Sequence, residues 1–466
     1  MPAAATHAAY DPRYDPLVSP DAGRGMDYAP TYWVASAGTP PPDDGPLQAD
    51  LEADVVVVGA GFTGLSTALH LAREHGIRAV VLEANRSVWG CTSRNGGQGQ
   101  NASGRLYRSQ WIARWGQPTA LALDAEIRQG FERFQGLVAE FACDAQPGGH
   151  LYIAHRARKL DFLRQEAALM REVFGYDARM LSREQVASQY VDDQENCGAL
   201  HEPLGIGVHP LKLAHGYLGA ARALGARVHP GTPVLDVRSE GSHQLVRTPH
   251  GRVRAKAVAF ATGGYTRNDM HPSLRWKIMP ILSNSLVTRP LTDAEIAATG
   301  FRTHEVITDT RTLRFYYRLL PDRRLQIGSR SAITGADAPA PRHMAVLVEG
   351  LHRKFPALRG IEIEHSWWGW VDVSHDMMPR VVQPDPGQRV YYAVGYGGNG
   401  VSFSAQAGHR LAQRVAGQRL PELPIYQGAL HDPTVFRRWQ WRGFGPFRRL
   451  GQRGLYHWYH FRDEQA

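Results

Sequence analysis

The stretch from Asp54 to Glu83 constrains this chain more than any other. It reads Asp-Val-Val-Val-Val-Gly-Ala-Gly-Phe-Thr-Gly-Leu, then an apolar helical pattern, then Ala-Val-Val-Leu-Glu. Four successive valines predict a strand buried on both faces of a parallel sheet. Gly59, Gly61 and Gly64 follow as G-x-G-x-x-G. Leu65, Ala68, Leu69 and Leu71-Ala72 share roughly one helical face, and Gly76 can end that helix. Ala79 to Leu82 predicts a second strand with Glu83 at its end. The glycine triplet alone is weak in a chain with 48 glycines. Strand, helix, second strand and terminal acid together define a dinucleotide-binding unit. Gly59 permits the tight turn, Gly61 lets the backbone approach a pyrophosphate, and Gly64 lets the helix pack closely on the strand. The helix N-terminus, at Phe62 and Thr63, offers N–H groups and a positive dipole end to phosphate. Glu83, followed by Ala84, can accept hydrogen bonds from ribose hydroxyls.

A chain of 466 residues is comfortable for two domains. No run approaches the length of a transmembrane helix. The first ten residues lack the basic and apolar regions of a secretory signal. The 3 cysteines, Cys91, Cys143 and Cys197, form no disulfide framework or C-x-x-C pair. They fit a reducing, cytoplasmic setting, with all three thiols buried or idle. No metal-ligand spacing is present. The net charge of +9 comes from 53 basic residues, all but five of them arginine. They are spread along the chain, with local density only near the C-terminus. This predicts a solvated basic surface and no nucleic-acid partner.

The chain order predicts an α/β (α+β) protein: a Rossmann-like domain built from discontinuous pieces, plus a second domain on a large mixed or antiparallel sheet. Residues 1–50 read as an extended, proline-rich leader, anchored by the aromatic rings of Tyr28-Ala-Pro-Thr-Tyr-Trp33. The nucleotide domain takes 51–105, 200–275 and 371–425. Its later pieces are two more apolar strands that end in glycine: Ala257 to Thr262-Gly263-Gly264, and Val390 to Gly400. A helix from about Phe403 follows the second, so a second helix N-terminus points at the ligand. The polar loop from Arg86 to Gln98 brings further backbone N–H groups to the same place. Residues 106–199 and 276–370 form the substrate domain. The first has helical periods over 118–145 and 158–174 and a capping-box match at Ser182-Arg-Glu-Gln185. The second is strand-rich. The basic, aromatic tail, 426–466, lacks a clean amphipathic period, so it is expected to pack across the body. A membrane surface or a partner is the other reading.

Taken together, Gly59 to Glu83, Trp89 to Gln98, Ala261 to Gly264, Trp368 to Pro379 and Gly395-Tyr-Gly-Gly-Asn-Gly400 resemble the FAD-dependent amine and amino-acid oxidoreductases of the D-amino-acid oxidase superfamily. The resemblance is to the gamma-glutamylputrescine oxidoreductase-like branch and covers roughly residues 28–460. It implies FAD as cofactor. Gly59, Gly61, Phe62, Thr63 and Gly64 would hold its pyrophosphate, and Glu83 with Ala84 the adenosine ribose. Val234 would meet the adenine through its backbone. Arg94, Asn95, Gly96, Gly97 and Gln98 would line the flavin, with Thr262 and Gly263 beside it. Gly397, Gly398, Asn399, Gly400 and Val401 would face the pyrimidine end, where the helix dipole stabilises negative charge on reduced flavin. Arg94 stands where some relatives carry a histidine bonded to FAD, and Trp367 or Trp368 where others carry a cysteine. The expectation is therefore non-covalent FAD. Gln326 and Ser402 replace lysines of sarcosine-type oxidases, so recognition of a small amino acid by that mode is not expected.

The implied activity is oxidation of an amine C–N bond to an imine that hydrolyses, with oxygen or another electron acceptor closing the cycle. A flavin monooxygenase or halogenase is the alternative, although its usual late Gly-Asp pair is missing. A redox-inactive FAD-fold binding protein is a further one. The amine must be neutral to react, and aromatic walls would desolvate it. Tyr265, Tyr317, Trp367, Trp368, Trp370 and Tyr396 are the pocket candidates, with His375 and Asn399 as polar contacts. Each has an ordinary packing role as its competitor. No obligatory acid–base residue is assigned.

Overall fold

The computed structural model describes residues 15–17, 27–275, 277–428, 430 and 445–464. The four valines lie where their pattern demands. Leu51–Val58 is central in an eight-stranded sheet, and its last four residues are buried. It pairs in parallel with Val80–Leu82 on one side and Arg252–Phe260 on the other. Arg227–His229 extends the first side and Val390–Val394 the second, both in parallel. The pieces Asp236–Glu240, His243–Arg247 and Arg380–Val382 add antiparallel margins. Helix Phe62–His75 begins at Gly61 and ends at Gly76, which is left-handed (φ 66°). It packs on helix Gly400–Val415, where Ser66 Oγ donates to Ala405 O at 3.2 Å. The two helices that follow glycine turns therefore lie side by side.

A second eight-stranded sheet runs in the order Ile363–Val373, Met279–Pro290, Arg324–Ser329, Tyr316–Leu319, Val306–Asp309, His150–Ile153, Ala199–Glu202 and Arg179–Leu181. Every pairing is antiparallel except Val306–Asp309 with His150–Ile153. Strands from before residue 203 thus complete the sheet whose other strands lie between 279 and 373. Gln98–Gln100, Gly205–Gly207 and Gln146–Pro147 form a small third sheet. The long helix, Arg108–Glu140, starts before the predicted 118. Gly116 breaks its backbone (φ 78°), and Pro118 sits just beyond the break. The periodic pattern becomes legible only after that break. Under the second sheet, fully buried Lys354 lies 3.2, 3.1 and 3.3 Å from Asp193, Glu195 and Asp309.

The leader is not wholly extended. Thr31 caps a short helix, Tyr32–Ser36, that buries Tyr32 and Trp33. Trp33 Nε1 donates to Asn95 O (2.7 Å), and its ring meets Trp367 and His209. The tail contains a 20-residue helix, Gly445–Glu464. Its buried residues are polar: Arg449, Gln452 and Asp463. Arg449 pairs with Asp15 at 2.6 Å, and Asp463 accepts from Thr312 N–H at 2.5 Å. The tail does have an amphipathic period. It went unseen because the apolar face points outward. The arginines at 437, 438 and 442 and the tryptophans at 439 and 441 lie outside the described residues. Among the described residues no helix is long and apolar enough to cross a membrane.

Candidate functional site

One elongated cavity runs between the two large sheets. Its first end is built from the opening motif. Gly59 has φ +103°, and a Cβ there would lie 2.7 Å from Ala261 O. Only glycine lets the first and third strands of the sheet converge at this point. A Cβ on Gly64 would lie 1.8 Å from Gly59 O, so Gly64 sets how closely the helix crosses the strand end. Glu83 accepts from Ala60 N–H (2.9 Å) and Asn85 N–H (3.1 Å), one at each carboxylate oxygen. Burial raises its pKa above the ordinary glutamate value, while these N–H groups pull the other way. Each oxygen can still accept another donor from the cavity side. Val234 and Pro233 line the same end.

The middle is walled by the loop from Trp89 to Gln98 and by Ala261 to Tyr265. Arg94 Nη1 donates to Tyr265 OH (2.6 Å), and its guanidinium lies 4.0 Å from the centre of the Trp89 ring. Thr92 Oγ1 accepts from Phe62 N–H at 3.0 Å, which ties this loop to the start of the motif helix. Tyr396 closes the far end. Its hydroxyl is 2.7 Å from Thr63 Oγ1, so the last glycine motif is hydrogen-bonded to the first helix. Asp372, on the edge strand of the second sheet, accepts from Gly395 N–H at 2.5 Å, and burial raises its pKa.

Above this end sit Tyr316, Ser283 and Thr308 of the second sheet. Tyr316 OH is 3.1 Å from Ser283 Oγ and 2.9 Å from Ser285 Oγ. Arg105, Arg314 and Arg330 surround the same space. Their partners are neutral. Arg105 donates to Thr312 O (3.2 Å) and Arg330 to Gly397 O (3.3 Å). Arg314 lies 5.3 Å from the Tyr152 ring centre, with its Nε buried and unpartnered among the described residues. Burial, followed by the charges of Arg314 and Arg330, pushes the pKa of Arg105 well down. Among the described residues no carboxylate forms an ion pair with any of the three. Gln100, Arg105, Arg314 and Asn399 also border a smaller cavity lined by Tyr107, Tyr152 and Glu202, so the two spaces share a wall.

Of the residues singled out from the sequence, Gly59, Gly61, Phe62, Thr63, Glu83, Ala84, Arg94, Asn95, Gly96, Gln98, Val234, Thr262, Gly263, Gly398, Asn399, Gly400 and Val401 line the cavity. Gly64, Gly97 and Gly397 do not. They hold the backbone behind it: a Cβ on Gly97 would meet Val208 O at 2.2 Å, and one on Gly397 would meet Arg105 Cγ at 3.0 Å. Tyr265, Tyr396 and Asn399 line the cavity among the pocket candidates. The other five lie elsewhere. Tyr317 is on the opposite face of its strand and donates to Asp193 (2.5 Å). Its neighbour Tyr316 takes the cavity side, because strand residues alternate. Trp368 and Trp370 likewise face away, where Trp370 stacks under Arg449. Gly369 and Val371 face the cavity. Trp367 points the right way but stops behind the loop, donating to Arg94 O at 2.7 Å. His375 lies beside Asp376, 4.0 Å away, outside the cavity lining.

Cys91, expected to be idle, lines the cavity; burial raises its thiol pKa to about 12. Tyr316, Asp372 and the three arginines were missed. Strand parity could have found Tyr316, but nothing in the sequence separates these arginines from the others. Among the described residues no group of three or more metal-ligating side chains occurs.

A parallel sheet with two glycine turns aimed into one long cavity, roofed by a mostly antiparallel sheet, is the arrangement of a flavoprotein oxidoreductase. The family model described as FAD dependent oxidoreductase matches residues 54–414, and the chain belongs to that family. It is 32% identical over 397 residues to the gamma-glutamylputrescine oxidoreductase of Escherichia coli K12, spanning 84% of this chain and 90% of that protein. The structure also resembles glycine oxidase from Geobacillus kaustophilus, with a TM-score of 0.67 and 20% identity over 83% of this chain and 98% of the other. L-proline dehydrogenase from P. horikoshii gives a TM-score of 0.68 at 19% identity, over 84% and 100%. The cofactor is therefore FAD.

Proposed function

We propose that this protein oxidises the C–N bond of an amine that also carries a carboxylate, such as a gamma-glutamylated amine. The observation that carries this reading is the Arg105–Arg314–Arg330 group at one end of a cavity whose other end bears the nucleotide motif. Three half-buried guanidinium groups without a carboxylate partner among the described residues favour an anionic ligand, because each charge–carboxylate hydrogen bond is worth about 1.5–3 kcal/mol. The same positive field disfavours an ammonium ion beside it and so keeps the reacting nitrogen neutral.

The residues fit FAD. The close approach at Gly59 and Gly61 suits a pyrophosphate, and Glu83 suits ribose hydroxyls. Val234 suits the adenine, and the Arg94–Gln98 loop with Gly398–Val401 suits the flavin ring. Bound FAD supplies the two-electron acceptor for the bond between hydrogen and the carbon next to nitrogen. The chain itself binds and orients. Helix Gly400–Val415, whose first residues line the cavity, would offer its positive end to negative charge on the cofactor. Tyr316 and Tyr265 would narrow the space and exclude water, and the arginines would hold and orient the substrate carboxylate. The imine product then hydrolyses in water. We hold the flavin to be non-covalent. Arg94 offers no nucleophile, and the protonated Cys91 thiol is a poor one. Oxygen or another acceptor completes turnover, and residence in the cytoplasm fits three free cysteines.

Anaerobic titration tests this. Flavin absorbance at its long-wavelength maximum should bleach with a gamma-glutamylated amine and respond far less to the parent polyamine. Bleaching by NADPH and by no amine would overturn the reading. Acid precipitation should leave the flavin in the supernatant.

A further inference from the structure

Helix Gly445–Glu464 is inverted relative to an ordinary surface helix. Its inward stripe is polar, with Arg449, Gln452 and Asp463 buried. Its outward face carries Leu450 (65% exposed), Leu455 (44%), Trp458 (56%) and Phe461 (47%). At 3.6 residues per turn these four fall within an arc of about 140°. Trp458 and Phe461 stack on each other, with ring centres 6.1 Å apart. An apolar stripe of this size is costly in water and marks a contact surface.

We infer that this face lies on an anionic lipid bilayer. The flanks carry the complementary charge. Arg453 borders the apolar arc on one side, and Arg462 lies within it near the other edge, where its guanidinium also donates to Thr312 Oγ1; both are exposed. Arg158, which donates to Arg462 O at 2.5 Å, adds a further exposed cation beside the helix end. The helix's two acids, Asp463 and Glu464, are turned away from the apolar face. Asp463 bonds Thr312, and Glu464 pairs with Arg311 at 2.5 Å. A tryptophan and a phenylalanine with arginines at the rim are the side chains that settle at a headgroup boundary. The buried polar stripe anchors the helix to the body by ion pairs, so its apolar face stays outward.

Flotation of the full-length, flavin-loaded protein tests this. Vesicles of phosphatidylcholine with phosphatidylglycerol should carry it upward. Pure phosphatidylcholine should carry at least tenfold less, and added salt should release it. Trp458→Ser and Phe461→Ser should each reduce the vesicle-bound partition by on the order of tenfold. Both should keep the flavin content and the anaerobic bleaching of the parent, which would show that the fold is intact. Leu450→Ser provides a third position if either aromatic variant misfolds. The inference is overturned if the parent protein stays unbound to anionic vesicles, or if the variants float as well as the parent. It is also overturned if sedimentation velocity shows a dimer that Trp458→Ser dissociates, since a second copy would then occupy the face.

Discussion

Acid should detach the leader from the flavin-side loop, with His209 as the titrating group. His209 Nδ1 accepts from Lys212 N–H (3.2 Å) and so caps helix Pro210–Ala223; that leaves Nε2–H to donate to Ser36 Oγ (3.1 Å). The ring also lies 5.1 Å from Trp33, which bonds Asn95 O. Burial, and then the charge of Lys212, lowers the His209 pKa from 6.5 to about 3. A protonated ring would lose the cap and push Lys212 away. The unfolded chain therefore binds the proton more readily than the folded one. The stabilisation is fully present above pH 6.5 and is lost as pH falls from there toward 3. At about 1.4 kcal/mol per pKa unit, the loss is about 2 kcal/mol at pH 5 and about 4 kcal/mol at pH 3. His209→Asn keeps an acceptor at the cap and does not titrate. Thermal melts of both proteins from pH 7.5 to 5 should show a shallower fall for the variant, with about 2 kcal/mol less acid destabilisation. Flavin fluorescence should appear at a higher pH in the parent. Parallel stability curves would refute the assignment and shift the acid sensitivity to His215, His343 and His409, each lowered to about 4 chiefly by burial.

Other perturbations follow from the site. Gly64→Ala would drive a methyl group into Gly59 O, and should cost about 3 kcal/mol or more and abolish flavin retention, read by absorbance after gel filtration. Glu83→Gln turns one carboxylate acceptor into a donor that faces a backbone N–H. It should weaken FAD binding about 5- to 150-fold in a fluorescence titration. Arg314→Met should lower kcat/KM about 10- to 100-fold for a carboxylated amine and little for an uncharged one; an equal loss on both would refute the anionic role. Lys354→Met leaves Asp193, Glu195 and Asp309 without their shared ammonium group. It should cost about 3–5 kcal/mol in denaturant unfolding.

The nucleotide end was readable because its chemistry lies in backbone geometry, and glycine reports backbone geometry directly. Gly59, Gly61, Glu83 and the Gly398–Val401 turn all face one cavity for that reason. The substrate end depends on strand parity. A one-residue difference puts Tyr316 over the ring space and Tyr317 against Asp193, and an aromatic pair such as Tyr316-Tyr317 has no polar–apolar alternation to decide between them. The run Trp367-Trp368-Gly369-Trp370 hides its parity in the same way, since both faces of that strand are covered. Arg105, Arg314 and Arg330 come from separate segments and share a site only through the second sheet. The tail helix is hard to read from sequence because its inward stripe, Arg449, Gln452 and Asp463, is polar and its apolar residues face outward.

The hydroxyl of Tyr396 and that of Thr63 touch, yet the two residues are 333 positions apart. A ribosome adding about 5–20 residues per second takes roughly 20–70 s to travel between them. Throughout that interval helix Phe62–His75 lacks its packing partner, Gly400–Val415, and Leu51–Val58 at first lacks the strand Arg252–Phe260 beside it. Vitamin-derived cofactor has no complete seat until Gly400–Val415 has emerged. Loading of the cofactor therefore waits on the emergence of Gly400–Val415, long after the motif that first meets it has been made.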